Sequence, residues 1–229
     1  MAEKESPKPV EKAEEKRQPG VFKRWRKLAL SGLIGVSLAL SPIKGNATQI
    51  KHAMQLPSDY AELYTENYSE GWNYLVKADE QFRKGKKSNG NADSAVEYFQ
   101  KEYAKSKKVE LIYILAYSNY TASMDRDTFE GTEQYLQKAI RLCESGLKKQ
   151  GLLAFVDLKA TILQNLAEMY SEAYNKQSKD EYRIKTVGYA KEFVSFYAKN
   201  RNRFEGTSKE EYEAAERVCL ELIKRLQSN

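Results

Sequence analysis

The feature that most constrains the fold is a long stretch of chain without proline. After Pro57 the sequence contains none. Proline inside a helix removes a backbone hydrogen bond and clashes with the preceding turn, so a long proline-free stretch favours helices. Apolar residues in this stretch recur every three or four positions, which is the period of one helix face and not of a strand. We therefore predict an all-α domain over residues 58–229.

Turn residues and capping patterns divide this domain into seven predicted helices. Breaks are indicated by the Gly- and Asn-rich turn Gly85–Asn91 and by Gly151. Asp127, Ser178 and Ser208 each precede a glutamate by three positions, which is the spacing of a capping box at a helix N-terminus. The predicted helices cover about residues 58–84, 92–106, 109–124, 127–150, 152–175, 178–200 and 208–227. Because the connections are short, consecutive helices are expected to pack as antiparallel pairs.

The apolar run Leu28–Leu40 is the only uncharged stretch long enough to address a membrane. A basic cluster at positions 23–27 precedes it, and the small residues Gly45 and Ala47 follow it. This order is typical of an export signal whose N-terminus stays in the cytoplasm. The run has 13 residues, fewer than the roughly 20 that a spanning helix needs. We predict a signal peptide cut after Ala47; a retained single-pass anchor and an ordinary cytoplasmic helix are the alternatives.

The segments around this run complete the predicted domain organisation. Residues 1–27 form a charged tail without an apolar cluster, and we expect the tail to be disordered. Residues 28–47 hold the signal core and cleavage region, and residues 48–57 form a linker. The helical domain is therefore predicted to be exported to the periplasm or cell envelope. In the anchor alternative it is tethered there with a cytoplasmic N-terminus.

The charge distribution argues against a nucleic-acid partner. The net charge of the chain is +6, but residues 1–47 carry ten Lys and Arg against five Asp and Glu. The remaining residues carry 28 basic and 27 acidic side chains, so the helical domain is nearly neutral. It has no basic stripe interleaved with aromatic residues, the pattern that marks a nucleic-acid surface.

The predicted third to sixth helices resemble the tetratricopeptide repeat family. The pattern of a first repeat helix is matched in the fifth predicted helix by Leu163, Leu166, Ala167 and Tyr170. In the third predicted helix it is matched less fully, by Ile112, Leu115 and Ala116. The pattern of a second repeat helix is matched by Thr132, Leu136 and Ala139, and more weakly by Arg183, Val187 and Ala190. In both helix pairs the second pattern begins 16 positions after the small residue of the first helix: Thr132 follows Ala116, and Arg183 follows Ala167.

This resemblance covers about residues 60–200 and implies an α-solenoid of antiparallel helix pairs. The family lines a concave groove with its first helices, which implies groove positions on the third and fifth helices: Tyr113, Tyr117, Tyr120, Gln164, Glu168 and Ser171. Tyrosines on such a wall can stack on and hydrogen-bond an extended peptide or a small ligand. The alternative is that these tyrosines pack against the neighbouring helix pair.

No residue set predicts catalysis, a cofactor or a metal. The single histidine, His52, lies beside the predicted cleavage position. Cys143 and Cys219 fall on apolar helix stripes and are expected to be buried core residues, although an exported chain can also join them in a disulfide. We predict a non-catalytic scaffold or adaptor that binds a protein segment. The alternatives are a solute-binding component of a transport system, an anchored bridge between cytoplasmic and external partners, and an enzyme of unfamiliar type.

Overall fold

The computed structural model describes residues 68–204 and 206–228, and this part of the chain is all-helical without a β-strand. Seven α-helices follow one another, which we number α1 (Ser69–Arg83), α2 (Asn91–Ser106), α3 (Glu110–Ser123), α4 (Phe129–Gln150), α5 (Leu153–Gln177), α6 (Asp180–Asn200) and α7 (Gly206–Gln227). A short 3₁₀ turn, Arg201–Arg203, follows α6. The charged tail, Leu28–Leu40, the predicted cleavage after Ala47 and residues 48–67 lie outside the described residues.

The prediction of the all-α class is confirmed for the described part, and α2 to α7 begin and end within two residues of their predicted bounds. Gly151 ends α4 in the left-handed conformation, and its N–H donates to the Leu147 carbonyl. Thr128, not Asp127, caps α4, because the Thr128 hydroxyl accepts a hydrogen bond from the Gly131 N–H at 3.0 Å.

The predicted capping box at Ser178 is wrong. Ser178 has a φ of +52° and its N–H donates to the Tyr174 carbonyl at 2.7 Å, so it closes the end of α5. The residue that precedes α6 is Lys179, and its side chain makes no capping hydrogen bond. A serine between two helices can cap the start of the second helix or close the end of the first. The path of the chain between α5 and α6 places Ser178 at the end of α5.

The helices pack in neighbouring pairs along the chain. Each helix contacts the one before it and the one after it, and the pairs α3–α4 and α5–α6 pack most extensively. The odd-numbered helices also contact one another in succession, α1 with α3, α3 with α5 and α5 with α7. We call this succession of contacting odd helices the odd row, and each even helix packs against the two odd helices that flank it in sequence.

The core lies between the odd and even helices and depends on small residues where backbones approach. Ala116, Ala139 and Ala167 are fully buried. A Cβ atom at Gly146 would lie 2.2 Å from the ring of Phe155, so only glycine allows α4 to approach α5 this closely. Burial of the two cysteines is confirmed: Cys143 and Cys219 are buried and unbridged.

None of the helices in residues 68–204 and 206–228 is both long and apolar enough to cross a membrane.

Candidate functional site

The six residues that the sequence assigns to a groove lie on two helices of the odd row, α3 and α5. Each residue of the α3 set has its counterpart 51 positions later: Tyr113 with Gln164, Tyr117 with Glu168, and Tyr120 with Ser171. Because α3 and α5 contact each other, the two sets belong to one part of the molecule.

The three tyrosines of α3 are buried. Tyr113 and Tyr117 each expose 5% of their surface and Tyr120 exposes 1%. The Tyr113 ring meets the ring of Phe155 on α5 edge-on, with 5.5 Å between the centroids. The Tyr117 and Tyr120 rings are neighbours at 6.4 Å. These rings therefore form part of the packing around α3 and at its contact with α5, and their role in binding stays a prediction.

Tyr120 is joined to α5 by a hydrogen bond that the sequence analysis missed. The Asn165 side-chain amide donates to the Tyr120 hydroxyl at 2.9 Å, and both side chains are buried. Burial raises the pKa of Tyr120 far above its ordinary value, so the hydroxyl stays protonated. The sequence contains a signal that could have identified this contact: Asn165 lies on the helix face that the period assigns to the core. A buried amide needs a buried hydrogen-bond partner.

A polar stripe runs along α5 beside these tyrosines. The α5 stripe consists of Asp157, Thr161, Gln164, Glu168 and Glu172. Their spacing of three or four places them on one helix face. All five residues are partly exposed, whereas Ser171 is buried beside them. The α5 stripe therefore contains two of the predicted site residues, Gln164 and Glu168, and consists of polar residues that are partly exposed.

Carboxylates of the α5 stripe lie in an environment with little water. The Gln164 amide donates to the Glu168 carboxylate at 2.9 Å. Burial raises the pKa of Glu168, and the charge of Glu172 raises it further. Burial also raises the pKa of Asp157. A new hydrogen-bond donor or cation beside either acid would therefore stabilise its ionised form, because it would replace the missing hydration.

Helix α7 closes one end of the α5 stripe through Tyr212. The Tyr212 hydroxyl donates to the Asp157 carboxylate at 2.8 Å, and the Thr161 hydroxyl lies 2.9 Å from the Tyr212 hydroxyl oxygen. Tyr212 is buried, and its pKa is raised well above the ordinary value by that burial. This hydrogen-bond set holds one end of the α5 stripe in a single arrangement.

A second polar cluster, centred on Glu133 of α4, joins three helices. The Glu133 carboxylate accepts hydrogen bonds from the hydroxyls of Tyr170 and Tyr189 and from the Lys185 ammonium group. Burial alone would raise the pKa of Glu133, but these donors outweigh it and hold the pKa below the ordinary value. Because every group of the cluster is occupied by another member, the cluster stabilises the packing of α4, α5 and α6.

A polar cleft between the α1–α2 and α3–α4 turns is likewise internally paired. Asp125 accepts from the Ser88 N–H at 2.8 Å, and Arg126 forms an ion pair with Asp93. Lys87 lies 2.5 Å from a carboxylate oxygen of Asp127. These contacts tie the two turns together.

The described residues offer no metal centre and no activated thiol. Within residues 68–204 and 206–228, no group of three or more His, Cys, Asp or Glu is arranged to hold a metal ion. Burial raises the pKa of Cys219 to about 12 and also raises that of Cys143, so both remain thiols at neutral pH. Comparisons of the chain with family models, with curated proteins and with solved structures find no match.

Proposed function

We propose that this protein is a non-catalytic adaptor that resembles a tetratricopeptide-repeat array and binds an extended segment of a partner protein. The partner segment lies across the row of odd helices. The α5 stripe makes the contacts, and Tyr113, Tyr117 and Tyr120 form the wall beside it. The alternation of helices along the described chain and the succession of contacts among α1, α3, α5 and α7 support this architecture.

The observation that carries the proposal is the partial exposure of the α5 stripe in the middle of the odd row. A bound segment in extended conformation presents backbone N–H donors, and the oxygens of Gln164 and Glu168 can accept from them. The Gln164–Glu168 hydrogen bond holds both side chains before binding, which lowers the entropy that binding must overcome. The helical domain is nearly neutral, so we expect affinity to come from local contacts and not from long-range charge.

A random-peptide display library tests this proposal, with the full chain as bait. Peptides selected on the wild-type protein are then measured against the double variant Gln164→Ala, Glu168→Ala. Loss of two hydrogen-bonding groups is expected to weaken binding about tenfold or more. The matched control is Lys191→Ala with Ser195→Ala, which changes two exposed positions on α6. Equal affinity of the selected peptides for both variants contradicts the proposal.

We further propose that Leu28–Leu40 directs the protein across a membrane or tethers it there, as its sequence order indicates. The native N-terminal residue and the cell fraction test this. A chain that begins at Thr48 in a soluble extracytoplasmic fraction identifies a cleaved signal. An intact chain in the membrane fraction identifies an anchor. An intact chain in the soluble cytoplasmic fraction contradicts both.

A further inference from the structure

Helix α7 keeps apolar side chains in solvent on one side. Tyr212 and Cys219 are buried where α7 packs against α6 and α5. Val218, by contrast, exposes 49% of its surface. Four positions before it Ala214 is exposed, and four positions after it Leu222 is partly exposed. Residues four positions apart lie on the same face of a helix, so these three form one apolar strip and not scattered single residues.

Two exposed charges continue this strip at its ends. Glu211 precedes Val218 by seven positions and Arg225 follows it by seven, and both side chains are exposed. Seven positions are nearly two helical turns, so both charges lie on the face of Val218. We call this set the α7 stripe, and it consists of Glu211, Ala214, Val218, Leu222 and Arg225.

The α7 stripe is complementary to itself when it is reversed about Val218. In a two-fold symmetric pair of antiparallel helices, the residue n positions before the centre in one copy opposes the residue n positions after the centre in the other copy. With Val218 at the centre, Glu211 of each copy opposes Arg225 of the other. The small side chain of Ala214 opposes the large side chain of Leu222 in the same way.

We infer that the α7 stripe joins two copies of this chain in a two-fold symmetric, antiparallel dimer. Burial of the apolar middle favours association, and the small side chains allow the two helices to approach closely. The two pairs between Glu211 and Arg225 fix the register and the direction. A parallel pair would oppose like charges at both ends. A second copy is therefore the occupant that this pattern selects, because a different partner does not require the pattern to match its own reverse.

Sedimentation of the full chain tests the dimer. The wild-type protein is expected to show twice the 26.3 kDa mass of one chain. Val218→Asp brings two like charges together at the centre and buries them, so the Kd of the dimer is expected to rise about tenfold or more. Leu220→Asp is the matched control, because Leu220 is also 49% exposed but lies on another side of α7. This control is expected to leave the Kd unchanged.

Two results of this experiment overturn the inference. The first is a wild-type chain that keeps the mass of one copy at all concentrations up to about 0.1 mM. The second is an equal Kd for Val218→Asp and Leu220→Asp, which would place the contact elsewhere on the chain. Both side chains are half exposed, so both variants are expected to fold, and circular dichroism verifies this.

Charge exchange gives a second test that needs no loss of apolar surface. Glu211→Arg opposes two pairs of arginines across the dimer, and Arg225→Glu opposes two pairs of glutamates. Each variant alone is expected to dimerise about tenfold more weakly than the wild type. A mixture of the two variants is expected to recover the wild-type Kd, because each position then opposes the opposite charge. The control Lys224→Glu reverses an exposed charge outside the α7 stripe, and it is expected to change nothing.

The mixture distinguishes self-association from every other occupant of the face. Single variants that dimerise like the wild type overturn the inference, and so does a mixture that associates no better than its components. The inferred dimer does not rest on peptide binding, which uses Gln164 and Glu168 of the α5 stripe. Binding of the selected peptides to Gln164→Ala, Glu168→Ala is measured separately, so either proposal can fail without the other.

Discussion

Helices α3 and α5 have equivalent places in the row of odd helices but differ in what they present. The counterpart positions carry tyrosines on α3 and polar residues on α5, and only those on α5 include partly exposed residues. A helix that is covered on all faces contributes to the core. A helix that keeps one polar face partly open can contact a partner. The comparison indicates that the side chains of a single face differ between two helices with equivalent neighbours, so that one is fully covered and the other keeps polar residues partly exposed.

The two helices also satisfy their polar side chains differently. On α3 the side chains of Ser118, Asn119 and Thr121 donate to carbonyls of the preceding turn of the same helix. Such local bonds need no neighbour, so a polar residue can be buried wherever the helix is covered. On α5, by contrast, Asn165 donates to another helix. The hydrogen bonds of Ser118, Asn119 and Thr121 therefore stay within α3, whereas the Asn165–Tyr120 bond joins the two helices.

The largest expected effect comes from removing the ring that joins the two helices. Tyr120→Ala deletes a side chain with 1% exposure and leaves the Asn165 amide without its acceptor. The expected loss in the free energy of unfolding is about 3–5 kcal/mol, by analogy with other buried aromatic residues. Urea unfolding measures it. Ser171→Ala, the counterpart change on α5, is expected to cost less than about 1 kcal/mol. Equal losses would show that the two faces do not differ.

An intermediate effect is expected at the contact that places α5. Gly146→Ala pushes a methyl group into the ring of Phe155, which also meets the ring of Tyr113. The expected loss is about 1–3 kcal/mol, because a packed core accommodates an extra carbon only by shifting. Gly188→Ala is the control: its Cβ meets no atom within 4 Å. It is expected to stabilise α6 by about 0.5–1 kcal/mol. Thermal unfolding separates the two, and a neutral Gly146→Ala would mean that the α4–α5 contact is loose.

The smallest expected effect concerns the pH dependence of the α5 stripe. The pKa of Glu168 is raised in the folded protein by burial, so the unfolded chain loses this proton first. The stability associated with Glu168 therefore falls as the pH rises above the ordinary value of 4.5. Glu168→Gln is expected to reduce that fall, measured as the free energy of unfolding across the acidic range.

Glu133→Gln is the control of opposite sign. The pKa of Glu133 is lowered in the folded protein, because its three hydrogen-bond donors outweigh the effect of burial. The stability associated with Glu133 is therefore present above the ordinary carboxyl value and is lost as the pH falls through the folded value. Glu133→Gln is expected to destabilise the protein at neutral pH. A Glu168→Gln variant with the wild-type pH profile would contradict the raised pKa of Glu168.

Much of the fold could be predicted because the signals that start and stop helices are local. Gly151 ends α4 as predicted, since glycine adopts the left-handed conformation without strain. Ser178 was predicted wrongly because a serine between two helices can cap either one. The Glu133 cluster was not predicted at all, because its members come from α4, α5 and α6 and no sequence spacing relates them.

The sequence by itself determined that the described chain is helical, where most helices end, and that Tyr113, Tyr117 and Tyr120 share a face. Local signals, which are the apolar period and the turn residues, are sufficient for each of these statements. Only the tertiary structure decided that this face is buried while Glu168 stays partly exposed, and that Asn165 is the partner of Tyr120. The physical reason is that burial and hydrogen-bond partners depend on which other elements cover a face, and the sequence of a single helix does not specify those elements.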